Sequence, residues 1–145
     1  MTKATRRVLG LIAVLAAGGI AVSSVSLLHH YGSSQTSYCD FGESFNCDIV
    51  NRSTYSTVLG IPDALIGILG YATLLLFATV YRTRTETPAI LLMGSTAGLG
   101  FALYLTYIEK FVLATWCILC LSSLSVIFLI TVLSSWLAAR ALRRE

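Results

Sequence analysis

The chain has 145 residues, 56% hydrophobic and 12% charged, where a soluble domain carries ~25% charged residues. With a mean hydropathy of +0.79, two prolines and eleven glycines, it is too apolar for a soluble fold. It also lacks the polar or periodic composition of disordered, collagenous and repeat chains. A small integral membrane protein remains, and the net charge of +3 has to be read in that setting, as an orientation signal and not as a nucleic-acid footprint.

In chain order, four apolar runs meet the ~20 residues a helix needs to cross hydrocarbon. They are Val8 to Leu28, Ala64 to Tyr81 with Ile61 and Pro62 before it, Thr87 to Ile108, and a stretch within Phe111 to Ala139. The expected architecture is all-α: residues 1–145 form one integral membrane four-helix bundle, with spans at about 8–28, 61–81, 87–108 and 114–138. Pro62 and Pro88 mark the starts of spans two and three, where a missing N–H is tolerated. A cleaved leader ending near Ala21-Val22-Ser23 competes for the N-terminus, but the apolar run continues at full spanning length.

Lys3, Arg6 and Arg7 precede span one, Arg82 and Arg84 lie between spans two and three, and Arg140, Arg143 and Arg144 follow span four. All these fall on one side, so both termini are expected in the cytoplasm. Arg52, Lys110, Asp40, Glu43, Asp48, Asp63 and Glu109 fall on the other. The outer loop, 29–60, is rich in Ser, Thr, Asn and Asp, and the spacing of Tyr55, Val58 and Leu59 predicts a short interfacial helix around Asn51 to Leu59. Asn51-Arg52-Ser53 matches a glycosylation acceptor, a pattern that is weak on its own.

Four cysteines complete the outer side. Cys39 and Cys47 lie in the loop with seven residues between them, and Trp116-Cys117-Ile118-Leu119-Cys120 opens span four. At a helix start, residues i and i+3 share a face, and the unsatisfied N–H groups favour a thiolate at Cys117. Cys120 lies one turn deeper, toward anything dissolved in lipid. As a circuit, a quinone takes two electrons from Cys117 and Cys120, the loop pair re-reduces their disulfide by exchange, and a soluble thiol protein reduces the loop pair. Three blander readings compete: two structural disulfides, a Cys₄ zinc site with an ill-fitting C-x₇-C half, and inert buried thiols.

These residues resemble the vitamin K epoxide reductase family in its prokaryotic form. The resemblance runs from Tyr38 to about Ser125, with span one before it. Cys39-Asp40, Asn46-Cys47, Ser53, Leu59-Gly60-Ile61-Pro62 with Gly67, and Tyr104-Leu105, Tyr107-Ile108-Glu109 and Phe111-Val112 leading into Cys117 and Cys120 carry it. It implies a four-helix bundle around a quinone, with Cys120 beside the quinone, Cys117 exchanging with Cys47, and Cys39 receiving electrons from a partner. It also implies that Ser53 covers or hydrogen-bonds the quinone. Asp63 stands where animal members have a quinone-contacting asparagine; capping span two is its other use.

Leu124 replaces a tyrosine that touches vitamin K in animal members. That loss of a hydroxyl favours ubiquinone or menaquinone as acceptor over vitamin K epoxide. No metal or flavin is expected. The expected partners are the quinone pool, the bilayer and, since the chain ends at Arg143-Arg144-Glu145, a separate thioredoxin-fold thiol oxidase. The place is a prokaryotic inner membrane with the cysteines on the periplasmic side, and the activity is disulfide formation in exported proteins.

Two rivals stand against this. A second kind of four-helix quinone-linked thiol oxidase has its CxxC in the first outer loop, the reverse of the order here. A tetraspan structural or adhesion protein with structural disulfides explains Cys39 and Cys47 but leaves Cys117 and Cys120 idle. Gly94, Gly98, Gly100, Gly67 and Gly70 are read as close-packing positions within the bundle. His29 and His30 are given no catalytic role, and Glu109 and Lys110 are read as anchors at the lipid headgroups.

Overall fold

A computed structural model describes residues 2–31, 57–58, 60–113 and 118–144. Four long helices dominate: α1 (Lys3–Tyr31), α2 (Asp63–Thr79), α3 (Thr87–Ile108) and α4 (Ile118–Arg144). A two-residue hairpin, β1 (Thr57–Val58) antiparallel to β2 (Ile61–Pro62), leads into α2. A π-helical turn, Glu109–Leu113, extends α3. The fold is an all-α membrane bundle. Among the described residues, the segments Lys3–Leu28, Thr87–Val112 and Ile118–Arg144 are long and apolar enough to cross a bilayer.

The helix ends follow local chemistry more closely than hydropathy. Thr2 caps α1, its hydroxyl accepting the Thr5 N–H at 3.2 Å, so the helix begins before the apolar run and takes in Lys3, Arg6 and Arg7. Helix α2 is shorter than the predicted 61–81, because Ile61 and Pro62 pair as a strand and the chain turns after Thr79. Its 17 residues span about 25 Å. The hairpin also takes Thr57 and Val58 out of the helix expected around Asn51 to Leu59, and residues 51–56 lie outside the described set. Gly60 sits at φ +83°, the left-handed region that a side chain disfavours, and this lets the chain double back to start α2.

Around the bundle, α1 packs on α2 and α4, α3 packs on α4, and α2 and α3 touch least. The inward stripe of α1 is Leu9, Ile12, Ala16, Gly19, Ser23 and Ser26, all buried and spaced three and four apart, one helix face. The stripe is large and apolar near the N-terminus and small and polar at the far end. Opposite its large half stand Leu74, Ala78, Leu91, Ile130 and Leu137, which fill the half of the bundle nearer the two chain ends. The small half leaves space, and the cavity described below occupies it. Outward positions such as Val14, Leu69, Met93 and Val132 are exposed and apolar, as lipid-facing surfaces must be.

Candidate functional site

The cavity has a volume of about 440 Å³ and touches all four helices, a size typical of small-molecule sites. Helix α1 contributes Val22, Ser23 and Ser26; α2 contributes residues from Asp63 to Phe77; α3 from Ile90 to Leu105; and α4 contributes Leu119, Cys120, Ser123 and Ile127. Its walls are mainly apolar. At the level where α2 and α4 begin, Ser26, Asp63 and Cys120 give it a polar end.

Small residues make the room. A Cβ on Gly67 would lie 2.8 Å from Ser23 Oγ, one on Gly98 3.2 Å from Ile127, and one on Gly94 3.3 Å from Leu74. These three glycines are close-packing positions within the bundle, as expected. Gly70 and Gly100 meet nothing. Gly70, Thr73, Gly94 and Ala97 line the cavity yet are exposed. The cavity therefore opens sideways between α2 and α3, the least tightly joined of the neighbouring pairs, onto the lipid-facing surface.

Of the residues singled out from the sequence, the structure brings Cys120 and Asp63 into this cavity. Cys120 is half-buried in the first turn of α4. Asp63 occupies the first turn of α2, where the helix dipole favours a carboxylate, so the helix start and the cavity wall are one place. Cys39, Cys47, Ser53 and Cys117 lie outside the described residues, as does Trp116.

Glu109 departs from its expected role as a headgroup anchor. It is buried, at 1% exposure, because it lies four residues beyond Leu105 on the cavity-facing side of α3. Lys110, the next residue, is exposed, with Nζ 5.2 Å from the Phe111 ring centre, a cation–π contact that suits an interface.

Sequence reasoning missed Tyr71 and Ser123. Tyr71 is buried in the middle of α2, and its hydroxyl reaches α4, 2.9 Å from the Ser123 carbonyl oxygen and 2.8 Å from Ser123 Oγ. Both residues line the cavity. The available signal was a tyrosine at mid-span, since a phenol buried in a membrane helix has to find a partner.

A membrane helix bundle that encloses an apolar, laterally open cavity with a cysteine in its wall defines a class, that of membrane proteins with room for a small apolar molecule among their helices. Residues 10–135 match the model of the Vitamin K epoxide reductase family, and the chain belongs to that family. Its members are membrane oxidoreductases. A search of curated proteins finds no match.

Proposed function

We propose that this protein is a thiol–quinone oxidoreductase that drives disulfide formation in exported proteins. The observation that carries the reading is the position of Cys120, in the wall of an apolar cavity that opens toward lipid. A hydrophobic acceptor reaches such a cavity without crossing water. The acceptor is a ubiquinone or menaquinone, and no metal or flavin is required.

In this reading a thioredoxin-fold partner gives its two electrons to Cys39 and Cys47 by thiol exchange, and Cys47 passes them to Cys117. The dithiol of Cys117 and Cys120 then closes to a disulfide, and its two electrons and two protons convert the quinone to the quinol. The chain's own contribution is to hold the Cys120 sulfur beside the acceptor and to exclude water from it. Ser53 covers or hydrogen-bonds the quinone, and Asp63 faces the acceptor from the start of α2. The cysteines face the periplasm of a prokaryotic inner membrane, with both termini in the cytoplasm. A purely structural tetraspan protein has no use for the cavity or for Cys120.

The test uses the purified full chain, a reduced thioredoxin-fold dithiol protein and ubiquinone-1. Cys120→Ala is expected to abolish quinone reduction. Turnover that survives this change removes Cys120 from the mechanism and sinks the reading.

A further inference from the structure

The Tyr71 hydroxyl has one proton and two acceptors within reach, the carbonyl oxygen and the Oγ of Ser123. When the proton goes to the carbonyl, Ser123 Oγ–H is tied to the phenol oxygen. When it goes to Oγ, the Ser123 proton is released to a third partner. Among the described residues Ser123 Oγ bonds to Tyr71 and to no carbonyl of α4. The neighbours Ser122 and Ser125 bond back to the carbonyls of Ile118 and Leu121, at 2.8 and 3.0 Å, the usual solution for a hydroxyl in a membrane helix. Ser123 bonds to Tyr71 instead.

The pair is fixed in place. Tyr71 is 5% exposed, and Gly19 of α1 lies so close to its ring that a Cβ there would sit 2.5 Å from Cδ1 and Cε1. Side chains on a helix lean toward its N-terminus, so Tyr71 leans toward the polar end of the cavity, where its hydroxyl meets Ser123. Ser123 in turn lies three residues beyond Cys120 on the same face of α4, and both line the cavity. The Cβ atoms of Cys120 and Ser123 therefore stand about 5–6 Å apart on that face, with the hydroxyl next to the sulfur's position.

We infer that Ser123 donates a hydrogen bond to a carbonyl oxygen of the quinone beside Cys120, and that Tyr71 is the positioning residue that aims and polarises the Ser123 hydroxyl. This rests on the quinone reading above. A quinone carbonyl that enters an apolar cavity loses its hydrogen bonds to water, and a donor already in the wall offsets that loss. The oxygen gains negative charge as electrons arrive from the thiols, so a preorganised donor binds the reacting state more tightly than the ground state. Tyr71 donating into Ser123 strengthens the next bond in the chain. Ser123 and Tyr71 keep their protons throughout. The two protons of the quinol come from the two thiols, and the S–S bond forms as the two C=O groups become C–OH.

The experiment compares the full-length wild type with Ser123→Ala, Ser123→Thr and Tyr71→Phe, using ubiquinone-1 labelled with ¹³C at its carbonyls. Ser123→Ala is expected to lower kcat/KM for the quinone about tenfold, the worth of one hydrogen bond to a charging oxygen. It should also raise the infrared stretching frequency of one bound carbonyl. Tyr71→Phe keeps the ring against Gly19 and is expected to move both readouts in the same direction, because the Ser123 hydroxyl then turns back to the Leu119 carbonyl. Ser123→Thr is expected to restore both. An unchanged carbonyl band and kcat/KM in Ser123→Ala overturns the assignment while leaving the quinone reading intact, and so does a threonine variant as defective as the alanine. A wild type that neither binds nor reduces ubiquinone-1 overturns the quinone reading and this assignment with it.

Discussion

Gly19 illustrates how much a single atom decides in this bundle. Its α-carbon backs directly onto the Tyr71 ring, and an added methyl group would lie 2.5–2.6 Å from three ring atoms, well inside van der Waals contact. Gly18, the adjacent residue, meets nothing within 4 Å. Gly19→Ala is therefore expected to destabilise the protein by about 1–3 kcal/mol through overpacking. Gly18→Ala should be neutral or slightly stabilising, since alanine is the better helix former. Thermal unfolding of the two purified variants checks this, and equal midpoints would show that the α1–α2 contact is not at Gly19. Neither glycine is distinguishable in the sequence, because both stand in the run Ala16-Ala17-Gly18-Gly19 and only the facing helix separates them. The same holds for Glu109 and Lys110, adjacent charges that the sequence reads alike. Neighbouring residues on a helical turn point in different directions, which sends one inward and the other to the surface.

At the level of elements, hydropathy located the helices well and their ends less well. Apolar runs of spanning length leave few alternatives to a helix in a membrane, so α1, α3 and α4 were readable. The ends depend on hydrogen bonds that hydropathy does not see. Thr2 starts α1 five residues ahead of Val8, and the Gly60 turn replaces the end of an expected helix by a hairpin. The tight connection between α2 and α3 is another such case. Thr87 is 1% exposed, and its hydroxyl donates across the turn to the Tyr81 carbonyl, while its N–H donates to Arg84 O at 3.3 Å. Thr87→Val keeps the shape and removes the hydroxyl bond. It is expected to cost about 1 kcal/mol, seen as a fall of roughly 2–4 °C in the thermal midpoint. No change in midpoint would mean that water or lipid headgroups satisfy the Tyr81 carbonyl equally well.

Over the whole molecule, the taper of side-chain size along the bundle creates the cavity, and no single residue announces it. Leu9, Ile12 and Ala16 give way to Gly19, Ser23 and Ser26 on α1, and beyond the Tyr71 ring that backs onto Gly19 the cavity takes the space facing Ser23 and Ser26. The sequence contains this gradient, but the gradient means nothing until α1 is set against α2 and α4. The sideways opening has the same origin, since Gly70, Thr73, Gly94 and Ala97 are too small to close the seam between α2 and α3. If a long-tailed quinone reaches Cys120 through this seam, its isoprenoid tail must lie between the two helices while the ring is inside. Ala97→Phe places a bulky ring at an exposed position of the mouth, away from Cys120 and Ser123, which lie on α4. The expected outcome is a fall of about tenfold or more in kcat/KM for ubiquinone-8 and less than about threefold for ubiquinone-1, the cost of a steric block falling on the tail and not on the head. Equal losses for the two quinones would place the route at the polar end of the cavity, past Ser26 and Asp63, and would leave the seam between α2 and α3 as packing alone.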